Sequence, residues 1–230
     1  MSSNSGKKHR AKQTPENSSS GAPHQFRAPR ALNDHQQQYL QAISECDIVF
    51  GIGSAGTGKT FLAASYAAGE LYYKRIDQVI LTRPNVETGR GLGFLPGELD
   101  EKYAPYLQPF EQVFSRSLGN GFYEYALKSG LIAPKPIGFM RGASFDNVLV
   151  LVDEAQNLTK QELKMLLSRI GKNCKVILSG DPKQVDVHNS GLLDAVGRLG
   201  HLPGVGVVEF TDQDIVRSPM CKQVILAYND

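Results

Sequence analysis

The amino-acid sequence predicts an α/β fold in which a mostly parallel sheet carries helices on both faces. The first observation is a set of short runs that are almost continuous in Val, Ile and Leu: Ile48–Ile52, Val79–Leu81, Val148–Val152 and Val176–Leu178. Strands that are buried on both faces of a parallel sheet have this pattern, whereas half-exposed strands alternate. The second observation is that helical stretches separate these runs, which is typical of doubly wound sheets.

The helices are predicted from their start signals and apolar spacing. Asn33 is a suitable N-cap for a first helix that carries Tyr39, Leu40 and Ile43. A further strand is predicted at Val205–Phe210. The remaining predicted helices are Lys59–Tyr73, Thr159–Ile170, Leu192–Leu202 and Met220–Tyr228.

One connection, about residues 85–146, interrupts the alternation of strands and helices. It contains no clear strand, and a connection of this length inside a compact domain is usually functional. We therefore predict a partly helical insertion at the carboxyl edge of the sheet. Its aromatic residues Tyr103, Tyr106, Phe110 and Phe114 follow helical spacing, which favours a core stripe over a surface that stacks on nucleic acid bases.

Composition excludes several classes of protein. A chain of 230 residues that is 41% hydrophobic has material for a globular core, so it is not a wholly disordered protein. No apolar run approaches the roughly 18 residues of a membrane-spanning helix, and residues 1–25 lack the apolar stretch of a signal peptide. The three cysteines are odd in number and far apart, which predicts neither a disulfide framework nor a metal cluster. Together these features predict a cytoplasmic protein.

The basic residues are unevenly distributed. Residues 1–30 hold six Lys and Arg side chains and one acidic side chain, while the remaining 200 residues hold 19 basic and 22 acidic ones. The first 30 residues are also poor in apolar side chains, so we predict a disordered basic tail followed by a single domain over residues 31–230. Such a tail either binds nucleic acid phosphates or only keeps the protein soluble.

A glycine-rich motif follows the first predicted strand and precedes a predicted helix. It matches the pattern G-x-x-x-x-G-K-[ST], in which backbone N–H groups and a helix N-terminus hold phosphate. Lys59 would reach the β- and γ-phosphates of ATP, and the Thr60 hydroxyl would bind Mg²⁺. The alternative is a glycine-rich turn with a chance lysine. The predicted nucleotide-binding residues here are Gly53, Ser54, Ala55, Gly56, Thr57, Gly58, Lys59, Thr60 and Phe61.

Two further strands end in polar residues. Asp153 and Glu154 follow Val148–Val152, so Asp153 is predicted to bind Mg²⁺ and Glu154 to act as the general base for water. The alternative is a strand that ends in solvated acids. After the next strand, Gln184 is a candidate sensor of the γ-phosphate, unless Gly-Asp-Pro there is only a turn.

Two arginines are candidates for neutralising charge on the phosphates. Arg83 lies at the end of the second strand and could instead bind nucleic acid phosphate or form a surface ion pair. Arg217 is a candidate arginine finger, and its alternative is an ion pair with Asp212 or Asp214.

The motifs resemble, in their order, those of the PhoH family of P-loop ATPases, which are related to the cores of superfamily 1 helicases. The resemblance covers about residues 32–230. The segment Leu92–Gly97 makes it specific, because generic ATPases lack this sequence. The matching segments are Gly51–Thr60, Thr82–Pro84, Leu92–Gly97, Val152–Asn157, Ser179–Pro182 and Asp214–Arg217.

The resemblance carries several functional expectations. It implies ATP binding and hydrolysis on a RecA-like core, a role in RNA or single-stranded DNA metabolism, ring oligomers such as hexamers, and a ribonuclease partner. It also implies that Gln36 reads the adenine, although Gln36 is one of three consecutive glutamines that could simply be exposed. No membrane association is expected. We expect a departure from typical members at the ends of the sequence, where only the basic tail and no added nuclease or RNA-binding domain is predicted.

Length adds an expectation about assembly. A monomeric helicase places ATP between two such domains, whereas about 200 residues supply one. We therefore predict a homo-oligomer in which Arg217 or Arg83 reaches the nucleotide of a neighbour. Two other functions stay open: a small-molecule kinase, and a nucleotide-dependent switch with slow hydrolysis.

Overall fold

Six parallel strands form one sheet at the centre of the protein. The structure is a computed structural model, which describes residues 26–84 and 108–228. The strand order is β3-β2-β4-β5-β1-β6, and every neighbouring pair is parallel. This confirms the predicted α/β fold. The strands are β1 (Ile48–Gly53), β2 (Gln78–Thr82), β3 (Ile132–Pro134), β4 (Val148–Val152), β5 (Lys175–Gly180) and β6 (Val205–Phe210).

The helices begin where the sequence offers caps. The side chain of Asn33 accepts a hydrogen bond from the N–H of Gln36, which confirms Asn33 as the first N-cap. A capping box of Thr159 and Glu162 starts the helix after β4. In the described ranges the helices are α1 (Asp34–Glu45), α2 (Lys59–Tyr72), α3 (Gln108–Leu118), α4 (Asn120–Lys128), α5 (Lys160–Leu167), α6 (Leu192–Leu199) and α7 (Pro219–Tyr228).

The sheet separates two hydrophobic cores. Helices α1 to α4 contribute to the core on one face, and α5 and α6 contribute to the core on the other. Along β1, Val49 packs into the first core and Phe50 into the second, and both are fully buried. Because successive side chains of a strand point to opposite faces, burial on both sides accounts for the near-continuous apolar runs.

The prediction of no clear strand in the insertion is wrong. Ile132–Pro134 forms β3, which pairs in parallel with β2 at the edge of the sheet. This strand is three residues long and only Ile132 in it is buried, so its apolar signal in the sequence is weak.

The insertion also places two helices on one face of the sheet. Helix α3 packs against α2, and the buried side chains of Phe110 and Phe114 join the core. The core-stripe interpretation therefore holds for these two residues. Tyr103, Tyr106 and the Leu92–Gly97 segment lie outside the described residues.

Part of the predicted basic tail lies within the described residues and makes contacts. The ring of Phe26 stacks on Tyr72 at 5.6 Å between centroids and meets Tyr73 edge-on at 5.7 Å. The prediction of disorder therefore does not hold for Phe26, because this ring finds an apolar surface at the end of α2. Within the described ranges, no helix combines the length and apolarity that crossing a membrane requires.

Cys174 is expected to be unreactive in the native protein. The residue is 3% exposed, and burial raises the pKa of its thiol to about 11. Only the thiolate form of a cysteine is nucleophilic. Because pH 8 lies well below this pKa, little of Cys174 is present as thiolate. Iodoacetamide at pH 8 should modify the partly exposed Cys46 and Cys221, and should modify Cys174 only after unfolding in guanidinium. Peptide mass spectrometry measures this, and equal labelling of all three cysteines in the native protein would contradict it.

Candidate nucleotide-binding site

A cavity of about 730 Å³ lies at the carboxyl ends of the central strands. Most of the predicted nucleotide-site residues meet there although they are far apart in the sequence. Gly53 and Ser54 line a neighbouring cavity of about 410 Å³ instead. The predicted residues that line the larger cavity are Gln36, Ala55, Gly56, Thr57, Gly58, Lys59, Thr60, Phe61, Arg83, Asp153, Glu154, Gln184 and Arg217.

The glycine-rich loop owes its shape to three glycines. Gly53, Gly56 and Gly58 have φ angles of 130°, 79° and 88°, in a region that side chains disfavour. A Cβ at Gly53 would also overlap the carbonyl oxygen of Phe210 on β6. The loop therefore combines backbone freedom with close packing, and it leads directly into α2, whose N-terminus suits an anion.

The ammonium group of Lys59 lies inside this loop. Its Nζ donates to the carbonyl oxygens of Gly53 and Ser54, each at 2.8 Å. It also donates to Oγ1 of Thr57 at 3.1 Å. Burial lowers the pKa of Lys59 to about 8, an effect that nearby carboxylates, first Asp181, partly oppose. The glycine-rich loop thus holds the lysine through oxygen atoms that the oxygens of a phosphate can replace.

Thr60, at the start of α2, and Asp153, directly after β4, contact each other at the carboxyl edge of the sheet. The Thr60 hydroxyl donates to Oδ1 of Asp153 at 2.7 Å. Asp153 is only 8% exposed, so it is not a solvated acid at a strand end. Burial raises the pKa of Asp153, and the hydrogen bond from Thr60 works in the opposite direction.

This donor set fits a magnesium ion. A hydroxyl and a carboxylate are oxygen ligands of the kind that Mg²⁺ binds, usually together with several waters. The Oγ1 of Thr82, at the end of β2, is buried and has no hydrogen-bond partner among the described residues. Thr82 pairs in register with Val152, the residue before Asp153. Thr82 therefore shares the face of the sheet on which Val152 packs, so the metal ligands that the structure offers are Thr60 and Asp153.

Glu154 is held by two donors. Nη2 of Arg83 donates to Oε1 of Glu154 at 2.8 Å, and Nε2 of Gln156 donates to Oε2 at 2.6 Å. The backbone of Glu154 has φ 52° and ψ 40°, a left-handed conformation that costs a non-glycine residue on the order of 1 kcal/mol. The strain and the two donors together fix the direction of this carboxylate.

Gln156 is a site residue that our reasoning from the sequence missed. It is 1% exposed, and its Oε1 accepts the N–H of Asp181 at 3.0 Å. It therefore links the end of β4 to the end of β5. Gln184 belongs to the same network, because its Nε2 donates to Oδ2 of Asp181 at 3.0 Å. The signal in the sequence was a polar residue inside a turn that follows two acids.

The interpretation of Gln36 as an exposed glutamine is wrong, because it is 2% exposed. Its Nε2 donates to the carbonyl of Thr57 at 2.9 Å, and its Oε1 accepts the N–H of Leu32 at 2.8 Å. A Cβ at Gly58 would stand 2.9 Å from Nε2. Gln36 thus braces the glycine-rich loop from α1.

The segment before α7 braces the same loop from another side. The N–H of Val216 donates to the carbonyl of Gly56 at 3.0 Å. A Cβ at Gly56 would stand 2.9 Å from Cγ of Arg217, so this arginine lies against the loop of its own chain. His35 hydrogen-bonds Asp214 at 2.8 Å, which ties the segment to α1.

Two cationic residues line the cavity that the sequence patterns did not place there. Arg30 precedes α1 and Arg116 lies in the last turn of α3. Neither belongs to a recognisable motif, and the position of Arg116 depends on how the insertion packs. Among the described residues, the cavity is lined by five cationic and three acidic side chains, an excess that suits a polyanion.

Comparisons of sequence identify relatives of this chain. The family model for "PhoH-like protein" matches residues 29–229. Protein PhoH of Escherichia coli (strain K12) is 42% identical over an alignment of 204 residues that covers 86% of this chain and 58% of that protein. A PhoH-like protein of Bacillus subtilis (strain 168) is 42% identical over an alignment of 197 residues that covers 84% of this chain and 62% of that protein. The chain spans about three fifths of the length of these relatives.

A comparison of structures agrees with the sequence comparisons at the level of the fold. The large terminase of a thermophilic bacteriophage aligns with 85% of this chain and 50% of its own, with a TM-score of 0.50 and 12% sequence identity. At this identity the likeness concerns the RecA-like P-loop fold alone. The match of the family model over nearly all of the described residues and the two relatives at 42% identity show that this chain belongs to the PhoH-like protein family.

Proposed function

We propose that this protein binds ATP together with Mg²⁺ and hydrolyses it, and that hydrolysis is coupled to RNA or single-stranded DNA. The observation that carries the proposal is the 2.7 Å hydrogen bond between Thr60 and Asp153 at the mouth of the glycine-rich loop. It brings the two expected Mg²⁺ ligands together, although they are 93 residues apart in the chain.

Six side chains at the site have a task in the proposed reaction. Lys59 and the backbone N–H groups of the loop hold the phosphates, and Thr60 and Asp153 hold the metal. Bound Mg²⁺ would supply positive charge to the β- and γ-phosphates. Glu154 accepts a proton from the attacking water, since it lies next to the metal ligand and its direction is fixed.

Gln184 and Arg217 complete the proposed site. Gln184 orients the water or senses the γ-phosphate with its neutral amide, and its contact with Asp181 supports this position. Arg217 neutralises charge that develops on the phosphates. Its contact with the loop of its own chain supports action within one subunit rather than on a neighbour.

The coupling to nucleic acid is supported by charge. The first 30 residues are basic, and cationic side chains outnumber acids around the described cavity. Action on strands, as in a helicase, and a homo-oligomeric ring are proposed as part of the same function. A ribonuclease partner, which the resemblance implies, stays a prediction.

Replacing Lys59 tests the site directly. Lys59→Ala should lower kcat/KM for ATP by about 10²–10³, because a preorganised charge on the phosphates is lost.

Glu154→Gln should lower kcat by about 10²–10⁴ with little change in ATP affinity, because only proton transfer is impaired. Phosphate release and equilibrium binding of a fluorescent ATP analogue measure the two effects. Lys128→Ala, an exposed residue on α4, is the control. Wild-type hydrolysis by the Lys59 variant would refute the assignment.

Replacing Gln36 distinguishes bracing of the loop from reading of the base. Gln36→Ala removes hydrogen bonds to Thr57 and Leu32. We expect KM for ATP and for GTP to rise by a similar factor, about fivefold to tenfold, because a net hydrogen bond contributes about 1 kcal/mol and the loop holds phosphates of either nucleotide. Steady-state kinetics with both nucleotides measure this. A loss confined to ATP would show that Gln36 reads the adenine instead.

Sedimentation tests assembly, and mixing two inactive variants tests whether Arg217 acts in the site of its own chain or of a neighbour. Sedimentation with Mg²⁺ and a non-hydrolysable ATP analogue should show a species several times heavier than the 25.1 kDa chain. In such oligomers, Lys59→Ala mixed with Arg217→Ala should stay inactive, because each complete site needs both residues from one chain. Recovered hydrolysis in the mixture would place the arginine in the site of a neighbour.

A further inference from the structure

Each oxygen of the Glu154 carboxylate accepts a hydrogen bond. Arg83, at the end of β2, donates to one oxygen, and Gln156, on its own turn, donates to the other. The mechanism proposed above needs this carboxylate to accept a proton from water. The two donors therefore compete with the attacking water for the oxygens of Glu154.

The two donors differ in how firmly they are held. Gln156 is 1% exposed, and the N–H of Asp181 fixes the far end of its amide. Arg83 is 27% exposed, and its partner Glu154 is 34% exposed, so solvent and ligands reach their contact. Arg83 also lines the large cavity. Gln156 is thus a permanent support, whereas Arg83 is a donor that a ligand can draw away.

The presence of the guanidinium opposes base catalysis. Its Nη2 donates to Oε1 at 2.8 Å while Nε2 of Gln156 donates to Oε2 at 2.6 Å, so each of the two oxygens that could accept a hydrogen bond from the attacking water already has a donor. Moving Arg83 away would leave Glu154 oriented by Gln156 and would open Oε1 to the water.

We propose that Arg83 restrains Glu154 until a phosphodiester group of a single nucleic acid strand binds Arg83 and draws it off. The inference rests on the proposed function, since it concerns the base of the same hydrolysis. A guanidinium donates to phosphate oxygens as readily as to carboxylate oxygens, so a bound phosphodiester would replace the hydrogen bond that Nη2 makes to Oε1. A strand offers many phosphates, and the cationic side chains Arg30 and Arg116 on the same cavity attract them.

This role and that of an arginine finger predict opposite signs. An arginine that neutralises the phosphates of ATP accelerates hydrolysis, so its removal slows the reaction. An arginine that restrains the base slows hydrolysis, so its removal accelerates the reaction in the absence of nucleic acid.

The experiment is single-turnover hydrolysis of Mg-ATP, with and without single-stranded poly(U). Arg83→Gln should hydrolyse ATP about threefold to tenfold faster than wild type without poly(U), and poly(U) should stimulate wild type but not this variant. Arg83→Gln combined with Glu154→Gln should fall to the rate of Glu154→Gln alone, which shows that the gain passes through Glu154. Arg75→Gln, which breaks an ion pair with Glu70 at the other end of α2, is the matched control and should behave as wild type.

Several results would overturn the inference. A slower Arg83→Gln variant would make Arg83 a direct aid to hydrolysis, and an unchanged variant would remove the restraint. A faster variant that poly(U) still stimulates as much as wild type would overturn the role of the phosphodiester. Wild type and Arg83→Gln that both fail to hydrolyse Mg-ATP would refute the proposed function itself. Thermal unfolding of each variant checks that a low rate does not reflect loss of the fold.

Discussion

The parallel direction of the six strands is the constraint on which the site depends. Because all strands run the same way, their carboxyl ends open at one edge, and the turns that follow them meet there. Lys59, Asp153 and Gln184 come from three such turns. None of them is near another in the sequence, so an antiparallel direction for β4 would carry Asp153 to the opposite edge.

The glycine-rich loop depends on more than its own motif. Gln36 on α1 and Val216 before α7 each hydrogen-bond a backbone carbonyl of the loop, and Phe210 on β6 packs against Gly53. The loop is therefore held from several directions before it meets any ligand. Such preorganisation is what electrostatic catalysis requires, because dipoles that are already fixed need no rearrangement during reaction.

The sequence predicted the central strands and the motif residues because their signals are local. A buried parallel strand is a run of apolar residues, and the loop of Lys59 is a fixed spacing of glycines. By contrast, β3 and the positions of Gln156 and Arg116 follow from packing between distant segments. The short strand has too few apolar residues to be recognised, and an amide or a guanidinium acquires its role only from the neighbour it contacts.

The hydrogen bonds of Lys59 to Gly53 and Ser54 bear on how quickly the site is reused. In this arrangement the ammonium group satisfies two carbonyl oxygens of the loop and occupies the space of a phosphate. A phosphate that enters exchanges one set of partners for another, so the lysine adds less to affinity than a new ion pair would. In the proposed hydrolysis, the same carbonyls would accept hydrogen bonds from the ammonium again when the product leaves, a balance that would favour repeated turnover over long retention of nucleotide.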